Sequence, residues 1–290
     1  MPQPLQPLSP QLIDDLVFAA LEEDGAFDDV TTRALVQPDQ WGHGYFIAKD
    51  DGVIAGLPIA AAAMTAIDED VSFDTLVEDG FRVAPGEQLV EVEGPLVAIL
   101  ACERVALNYL QRLSGIASLT RAYVAAVAHT KARILDTRKT TPGLRHLERY
   151  AVRAGGGYNH RLNLSAGVLI KDNHIAAARL RGLDDLEAVV TQARNEAPHT
   201  LRIEIEVTSV EELREALAGR PDIILLDNMG IDAMRQCVEI TDGHALLEAS
   251  GGISLDTVRA IAETGVDFVS VGRLTHSAPA MDISLEIGAT

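Results

Sequence analysis

Cysteines, aromatic residues and basic residues are all scarce in this 290-residue sequence. Only two cysteines occur, Cys102 and Cys237, so a disulfide framework is excluded and nothing indicates an oxidising compartment. Aromatic residues make up 4%, and 43 acidic residues against 24 basic ones leave a net charge of −19. A chain this acidic repels nucleic acid and anionic membranes overall, so we expect neither as a partner.

Long hydrophobic runs and targeting signals are missing as well. The longest weakly polar run, residues 54–67, is too short to span a bilayer. The start of the chain has no basic segment followed by an apolar one, so we expect no signal peptide and a cytoplasmic location. Hydrophobic residues at 47% and charged residues at 23% are typical of a globular chain with one large domain or two modest ones.

Several motifs of common enzyme classes do not occur. The sequence has no P-loop and no cluster of cysteine and histidine with zinc-ligand spacing, and no Ser/His/Asp set stands out. Three glycines at 155–157 follow a predicted helix instead of a strand, so they do not form a dinucleotide-binding fingerprint. The chemistry must therefore be carried by other side chains.

The first part of the chain predicts an α+β domain. Ser9–Gly25 has helical spacing with proline in the first turn, and a second helix is predicted over residues 58–67. Asp51-Gly52 lies between two short apolar runs and predicts a hairpin, while residues 84–96 alternate like a strand. A long predicted helix, from Glu103 to about His129, leads out of this region.

From residue 132 onward, short apolar strands alternate with amphipathic helices, which predicts a parallel sheet of βα units. The number of clear strands is lower than in a complete barrel, so an incomplete α/β barrel and an open doubly wound sheet both fit the pattern. The six predicted strands are RILDT (133–137), GVLIK (167–171), RIEIEV (202–207), DIILLD (222–227), ALLEAS (245–250) and FVSVG (268–272).

Polar residues at the ends of these strands favour the barrel. In a barrel the carboxyl ends of all strands converge on one mouth, whereas in an open sheet they spread along an edge. The residues in question are Asp136 to Lys139, Lys171 with Asp172, Asn173 and His174, Glu206, Asp227 with Asn228, Ser250 with Gly251 and Gly252, and Gly272 with Arg273.

Basic residues are concentrated between Arg104 and Lys171, where twelve lysines and arginines accompany two acids. They indicate either charges on solvated helix faces or a cationic pocket for a small polyanion, and we favour the pocket. Adjacent cations, hydroxyls and helix N–H groups can form an anion site. The simpler interpretations are that Arg138 and Lys139 lie in a solvated loop and that His160 is a structural histidine. The candidate ligands are Arg138, Lys139, His160, Arg161 and Lys171.

Two glycine turns in successive late units favour phosphate binding, although either one alone is only a turn. The first is Ser250-Gly251-Gly252 and the second is at Gly272. Glu206 and Asp227 are acids at the mouth of a cationic site, where they could hold ribose hydroxyls, Mg²⁺ or a neighbouring arginine.

Eight motifs taken together strongly resemble those of the quinolinate phosphoribosyltransferase family, over about residues 24–287. The combination is far more specific than any single motif. In order along the chain, the motifs are ERVALNYLQRLSGIAS, DTRKTTPGLR, GGGYNHR, LIKDNH, EIEVTS, ILLDN, EASGGI and VGRLTHS.

The resemblance implies an α/β fold in which an N-terminal α+β domain, residues 1–115, precedes an incomplete, about six-stranded α/β barrel, residues 116–276. The tail, residues 277–290, would pack back on the first domain. The implied reaction joins quinolinate to 5-phosphoribosyl-1-pyrophosphate with Mg²⁺ and releases pyrophosphate, CO₂ and nicotinate mononucleotide. The implied assembly is a homodimer or higher homo-oligomer with a shared active site.

The resemblance also implies roles for individual residues. Arg138, His160 and Arg161 would hold the quinolinate carboxylates, and Arg104 would reach into the site of a neighbouring subunit. Lys139, Lys171, Glu206 and Asp227 would be catalytic, and the two acids would face the ribose and the metal-bound pyrophosphate. Arg273 departs from the small residue usual in the family. The other implied substrate-binding residues are Asn173, His174, Ser250, Gly251, Gly252, Gly272 and Arg273.

Three alternatives stay open at this point. The first is a paralogue with the same fold and another acidic acceptor, and the intact DTRKT and HR motifs argue against it. The second is a non-catalytic barrel that binds phosphorylated metabolites. The third is a barrel aldolase or decarboxylase that uses Lys171 as a Schiff-base amine.

Overall fold

The computed structural model describes residues 5–288, and within this range the chain contains both helices and strands. A short 3₁₀ helix, Ala26–Asp28, follows the first α-helix. The elements in chain order are α1 (Pro10–Asp24), α2 (Val30–Leu35), β1 (Trp41–Ala48), β2 (Gly52–Val53), α3 (Leu57–Thr65), β3 (Ser72–Thr75), β4 (Arg82–Val83), β5 (Gln88–Pro95), α4 (Leu96–Val127), β6 (Arg133–Leu135), α5 (Arg145–Ala154), β7 (Val168–Ile170), α6 (Asp172–Arg179), α7 (Leu186–Glu196), β8 (Ile203–Val207), α8 (Val210–Ala218), β9 (Ile223–Asp227), α9 (Ile231–Thr241), β10 (Leu246–Ser250), α10 (Leu255–Ala262), β11 (Phe268–Ser270), α11 (Arg273–His276) and β12 (Ile283–Gly288).

The chain divides into two compact units. The first contains residues up to Arg121, the segment Thr141–Gly156 and the tail from Ser277, and the second contains Ala122–Thr140 and Gly157–His276. The domain boundaries given above stay a prediction. Residues 1–4 and 289–290, which the predicted N-terminal domain and tail include, lie outside the described residues.

The first unit is built on a four-stranded antiparallel sheet in the order β12-β1-β5-β3. Alternate residues of β1 are buried, because one face of the sheet packs on the core. Phe46 on β1 and Val90 and Val92 on β5 are fully buried on that face. The outer neighbour of β1 is the tail strand β12, so Phe46 pairs with Leu285. The sheet therefore includes strands from both ends of the chain.

Two predictions for the first unit need correction. The predicted hairpin at Asp51-Gly52 is wrong, because β1 pairs with β5 and β12 while β2 pairs with β4. Neither residue has the positive φ that such a tight turn requires. The long helix α4 begins at Leu96 and not at Glu103, because the apolar residues after Pro95 continue the helix.

Other elements agree with the sequence. Helix α1 begins after Ser9 and ends at Gly25, whose left-handed conformation is the usual helix stop. Helix α3 and strand β5 lie within a few residues of their predicted positions. Among residues 5–288, no helix combines the length and the apolar character needed to cross a membrane.

The second unit contains all six predicted parallel strands in the order β6-β11-β10-β9-β8-β7. This order runs from β7 to β11 without reversal and places the first strand, β6, beside the last. A doubly wound sheet would reverse direction at a switch point, whereas a barrel brings its first and last strands together. The incomplete α/β barrel is therefore confirmed, and its opening lies between β6 and β7.

Gly115 in α4 provides a test of how the tail packs within the first unit. A Cβ at this position would lie 1.9 Å from the Pro279 carbonyl oxygen, and Arg112 and Gln111 hold the same tail through its carbonyls. We expect Gly115→Ala to destabilise this unit by about 1–3 kcal/mol through overpacking. Gly230→Ala is the control, because a Cβ there would meet nothing within 4 Å. Equal thermal unfolding profiles for the two variants would contradict the close packing.

Candidate active site

A cavity of about 570 Å³ opens in the second unit, at the carboxyl ends of the parallel strands. Each of the six strands, or the loop that follows it, contributes to the wall. The lining residues are Thr137, Arg138, Lys139, His160, Arg161, Leu169, Lys171, Glu206, Leu225, Asp227, Asn228, Glu248, Ser250, Gly251, Gly252 and Ser270.

Strand alternation explains why these side chains point inward. In β8 the residues Ile203, Ile205 and Val207 are buried on the opposite side of the strand from Glu204 and Glu206, because successive side chains alternate. The register between β9 and β10 places Asp227 opposite Ser250. Inward positions near the strand ends therefore carry polar groups, while the outward positions are apolar.

Four cationic side chains line the cavity: Arg138, Lys139, Arg161 and Lys171. The Arg161 guanidinium donates to the Gly167 carbonyl at 2.8 Å. Burial and the nearby charge of Arg138 lower the pKa of Arg161, against an opposing effect of Glu204. Two guanidinium groups that repel one another in a partly buried wall are suited to a ligand with more than one negative charge.

Two carboxylates lie at the ends of neighbouring strands in the same wall. The Lys171 ammonium is 3.1 Å from Oε2 of Glu206, so these groups form an ion pair across β7 and β8. Asp227 Oδ2 accepts a hydrogen bond of 2.7 Å from the Asn228 amide. Both carboxylates line the cavity and present oxygen atoms beside the cations.

The turn after β10 requires glycine at its centre. Gly251 has a φ of +94°, and a Cβ there would lie 2.2 Å from Oδ1 of Asn228. Ser250 and Gly252 complete the turn, and helix α10 begins after Ser254. A backbone turn of this kind, ahead of a helix, can bring N–H groups close to a phosphate.

A layer of three buried acids lies beneath the cavity: Asp136, Glu204 and Glu248 are at most 5% exposed. The sequence analysis placed Asp136 at a strand end but missed Glu204 and Glu248. The signal for Glu204 was the alternation of glutamate with isoleucine in RIEIEV and that for Glu248 was the lone glutamate in ALLEAS, and the apolar character of these strands hid both. A second cavity of about 430 Å³ reaches this layer and shares His160, Arg161 and Glu248 with the first.

His160 lies among these acids. Its Nε2 is 3.4 Å from Oε2 of Glu204 and 3.6 Å from Oε1 of Glu248. Burial works against a charge on His160, but the contact with Glu204 and the charges of Glu248, Glu204 and Asp136 outweigh it and raise its pKa. Burial and repulsion from Glu204 raise the pKa of the Glu248 carboxyl as well. Both directions favour a proton within this cluster.

Ten of the fifteen residues predicted for the site are together in the cavity wall. They are Arg138, Lys139, His160, Arg161, Lys171, Glu206, Asp227, Ser250, Gly251 and Gly252.

The other five do not line the cavity, and their roles stay predictions. Arg104 is an exposed residue of α4 in the first unit. Asn173 and His174 are exposed in the first turn of α6, where His174 Nδ1 accepts a bond from the Lys171 backbone N–H. Gly272 lies beside Lys139, since a Cβ there would be 3.2 Å from Lys139 Cδ, and Arg273 is exposed at the start of α11.

The basic stretch contributes less to the pocket than its total charge suggested. Only four of its twelve lysines and arginines line the cavity. Others form contacts elsewhere: Arg112 pairs with Glu148 at 2.7 Å, Lys131 pairs with Asp267 at 2.7 Å, and Arg133 lies over the Tyr158 ring. The cationic pocket therefore depends on the few residues at strand ends and not on the whole stretch.

The incomplete barrel and the cationic mouth define a class of βα-barrel proteins that bind small anions at the carboxyl ends of their strands. Within this class, two family models match the chain: the quinolinate phosphoribosyl transferase N-terminal domain over residues 29–114 and the corresponding C-terminal domain over residues 116–286. The chain belongs to the quinolinate phosphoribosyltransferase family.

Individual relatives match over nearly the whole chain. The carboxylating nicotinate-nucleotide pyrophosphorylase of Mycobacterium leprae is 43% identical over 279 residues, which cover 94% of this chain and 96% of the relative. A decarboxylating quinolinate phosphoribosyltransferase of Nicotiana tabacum, named as mitochondrial, is 39% identical over 95% of this chain and 82% of its own. The crystal structure of NadC from Streptococcus pyogenes has a TM-score of 0.92 at 42% identity and covers 98% of this chain and 99% of that one.

The buried Glu248 carboxyl predicts a pH dependence of stability. A carboxyl whose pKa is raised in the folded state favours folding while it holds its proton, and this contribution is lost as the pH rises above the ordinary value of 4.5. The unfolding free energy of the native chain should therefore fall with rising pH relative to that of Glu248→Gln, by up to about 1.4 kcal/mol per pH unit. Unfolding in urea at a series of pH values measures the difference. Exposed Glu69→Gln is the control, and parallel profiles for the native chain and Glu248→Gln would contradict the prediction.

Proposed function

We propose that the chain transfers the phosphoribosyl group of 5-phosphoribosyl-1-pyrophosphate to quinolinate and decarboxylates the product to nicotinate mononucleotide, a step in NAD biosynthesis. The observation that carries the proposal is the presence of Arg138, Lys139, Arg161 and Lys171 in one cavity wall with Glu206, Asp227 and a glycine turn. The family of the chain and the names of its relatives support the same reaction.

Quinolinate has two adjacent carboxylates, which match the two arginines. A guanidinium can donate two parallel hydrogen bonds to a carboxylate, so Arg138 and Arg161 would each hold one and fix the ring. Lys139 and Lys171 would supply further positive charge near the ring. Holding two anions together in a fixed orientation can lower the barrier by roughly 7–11 kcal/mol.

The sugar donor would occupy the other side of the same cavity. The 5-phosphate would accept N–H bonds from the turn formed by Ser250, Gly251 and Gly252, with Gly272 nearby. Glu206 and Asp227 would face the ribose, where their negative charge stabilises the positive charge that develops at the anomeric carbon.

Mg²⁺ fits the two carboxylates as a partner of the pyrophosphate. This cation prefers hard oxygen ligands and is usually held by one or two carboxylates together with substrate phosphates. Glu206 and Asp227, on neighbouring strands and in one wall, offer such oxygens. They would hold the cation directly or through water, and when bound it would neutralise charge on the leaving pyrophosphate.

The order of bond changes follows from the charges. The pyridine nitrogen forms a bond to the anomeric carbon as the bond to pyrophosphate breaks, and the ring nitrogen becomes cationic. Loss of CO₂ then leaves an electron pair on the adjacent carbon, which the cationic nitrogen stabilises until that carbon takes up a proton. Decarboxylation before transfer would lack this stabilisation. Lys139 or Lys171, as cations beside the ring, would support the second step.

The cytoplasmic location and the dimer or higher oligomer are part of the proposal. Arg104 is exposed in the first unit, and in the proposed assembly it would complete the cavity of a neighbouring copy.

Release of pyrophosphate with quinolinate or with nicotinate as acceptor tests the function. We expect pyrophosphate, CO₂ and nicotinate mononucleotide in equal amounts with quinolinate, and no product with nicotinate. Turnover with another pyridine acid only would indicate the paralogue, and donor binding without pyrophosphate release would indicate a non-catalytic barrel. Borohydride trapping of substrate on Lys171 would indicate the Schiff-base enzyme, although Lys171 lies beside Glu206 and not in the apolar setting that activates such lysines.

Removal of either guanidinium should weaken quinolinate binding. Arg138→Ala and Arg161→Ala each remove a charge-assisted pair, so we expect the quinolinate KM to rise about tenfold to a hundredfold while the KM for the sugar donor changes little. Steady-state kinetics with both substrates measure this split. Arg179→Ala, at an exposed arginine outside the cavity wall, serves as the control. An unchanged quinolinate KM in both cavity variants would remove these arginines from the binding site.

A shared site predicts complementation between inactive variants. Arg104→Ala and Lys139→Ala should each be inactive alone, because one lacks the residue supplied to the neighbour and the other lacks its own lysine. Mixed dimers would contain one intact site, so mixing should restore part of the activity. Mixing either variant with itself is the control. Absence of recovery in mixed dimers, verified by differential tags, would argue against a shared site.

A further inference from the structure

Glu248 on β10 lies where the two cavities of the second unit meet. It is only 1% exposed, yet it belongs to the walls of both the cavity of about 570 Å³ and the one of about 430 Å³. Its Oε1 makes no hydrogen bond to any of the described residues and lies 3.6 Å from Nε2 of His160. A buried polar atom without a hydrogen bond is costly, so its presence in a cavity wall indicates a use other than packing.

The surroundings of Glu248 favour a neutral carboxyl group. One ring nitrogen of His160 and one carboxylate oxygen each of Glu204 and Glu248 lie within 4.8 Å of one another. A charged imidazole offsets one of the two carboxylates, and the second is then a buried charge beside a like charge. Asp136 adds further negative charge, and Ser270 is the hydroxyl that faces Glu248. Burial and the charge of Glu204 raise the pKa of the Glu248 carboxyl, so the proton of the pair lies on Glu248.

The proposed reaction needs a proton at one defined place. When CO₂ leaves the ring, the electron pair stays on the ring carbon, in the ring plane, and points along the broken bond. It therefore points to the place that the carboxylate occupied, among the groups that held it. In the proposed function these groups are Arg138, His160 and Arg161, and Glu248 lies in the same cavity wall, beside His160. A proton on Glu248 is thus on the side of the ring where the electron pair forms.

We propose that Glu248 is the acid that protonates the ring carbon after CO₂ has left. The O–H bond of Glu248 breaks, its proton and the electron pair on the ring carbon form the new C–H bond, and Glu248 becomes a carboxylate. A proton from water restores the acid before the next turnover, and the cavity of about 430 Å³ provides the route for it. This inference rests on the proposed function, because only that reaction creates the electron pair.

The other groups in the wall are less suited to give up a proton. Arg138 and Arg161 hold their protons at any pH that proteins tolerate. The Lys171 ammonium is paired with Glu206 at 3.1 Å. Lys139 and His160 would lose, with a proton, the positive charge that helps to hold the anions. A neutral carboxyl group can donate without removing a cation from the wall.

Single-turnover kinetics with quinolinate and the sugar donor separate the two steps of the reaction. Glu248→Gln keeps the size of the side chain and removes the acidic proton. We expect this variant to release pyrophosphate at nearly the native rate but to form nicotinate mononucleotide about a hundredfold more slowly, so that quinolinate mononucleotide, the product of the transfer step, accumulates. Glu248→Asp retains an acid and should lose less. Glu239→Gln, at an exposed glutamate of α9, is the control and should form both products at the native rates.

Three results of this experiment would overturn the proposal. Equal slowing of pyrophosphate release and of nicotinate mononucleotide formation in Glu248→Gln would show a structural role only. An unchanged rate of nicotinate mononucleotide formation would show that another group, such as His160 or Lys139, donates the proton. Equal losses in Glu248→Gln and Glu248→Asp would show that the shape of the side chain matters and not its acidity. Circular dichroism verifies that each variant is folded.

A spectroscopic measurement tests the inference without reference to activity. The infrared difference spectrum between the native chain and Glu248→Gln at neutral pH should contain the carbonyl band of a protonated carboxyl group, which shifts in D₂O. The band of a carboxylate in its place would overturn the proposal even if the chain acts on quinolinate. Failure of the native chain to release pyrophosphate with quinolinate would instead overturn the proposed function, and the state of the Glu248 carboxyl would still be measured.

Discussion

Compensation of charge inside the barrel is the constraint on which this site depends. Four cationic side chains line one cavity, and three carboxylates, Glu206, Asp227 and Glu248, line it with them. A charge removed from water is costly unless an opposite charge or several hydrogen bonds accompany it. The ion pair between Lys171 and Glu206 meets this requirement at the mouth, and the hydrogen bonds of Asp136 meet it in the layer beneath. The acids thus make it feasible to keep cations in a partly buried wall before any ligand arrives.

The pocket differs in charge from the rest of the molecule. The chain has a net charge of −19, so its exterior repels long polyanions, while the cations at the strand ends attract a small one. Arg112, Lys131 and Arg133 show that part of the basic stretch is used for contacts elsewhere. Local placement at strand ends, and not total charge, therefore determines where an anion can bind.

The sequence predicted the strands of the barrel and most of the cavity wall because those features depend on local pattern. Apolar runs followed by polar residues identified β6 to β11, and strand ends identified Arg138, Lys171 and Asp227. Features that depend on distant pairing were not predictable in this way. Strand β1 takes its outer partner from residues 283–288, and local turn signals at Asp51-Gly52 contain no information about such a strand.

The buried acids were missed for a related reason. Glu204 and Glu248 lie in strands whose neighbours are apolar, and an apolar run indicates a strand without indicating which side faces a cavity. The alternation Ile203, Glu204, Ile205, Glu206 would have placed both glutamates on one face, but only closure of the barrel makes that face an interior. A pattern of period two thus identifies a shared face, while the chemistry of that face depends on what the other strands bring to it.

The proximity of Arg138 and Arg161 provides a physical reason for preference among acids. Burial lowers the pKa of Arg161, and repulsion from Arg138 lowers it further. This repulsion is relieved most by a ligand that brings one carboxylate to each guanidinium. A pyridine with a single carboxylate would leave one guanidinium without its counter-charge in a partly buried wall, and that deficit lowers affinity. The contact of the Arg161 guanidinium with the Gly167 carbonyl, at 2.8 Å, strengthens the effect, because it holds this side chain in the cavity wall. Selectivity for a diacid then follows from two fixed like charges and does not require a separate surface that recognises the ring.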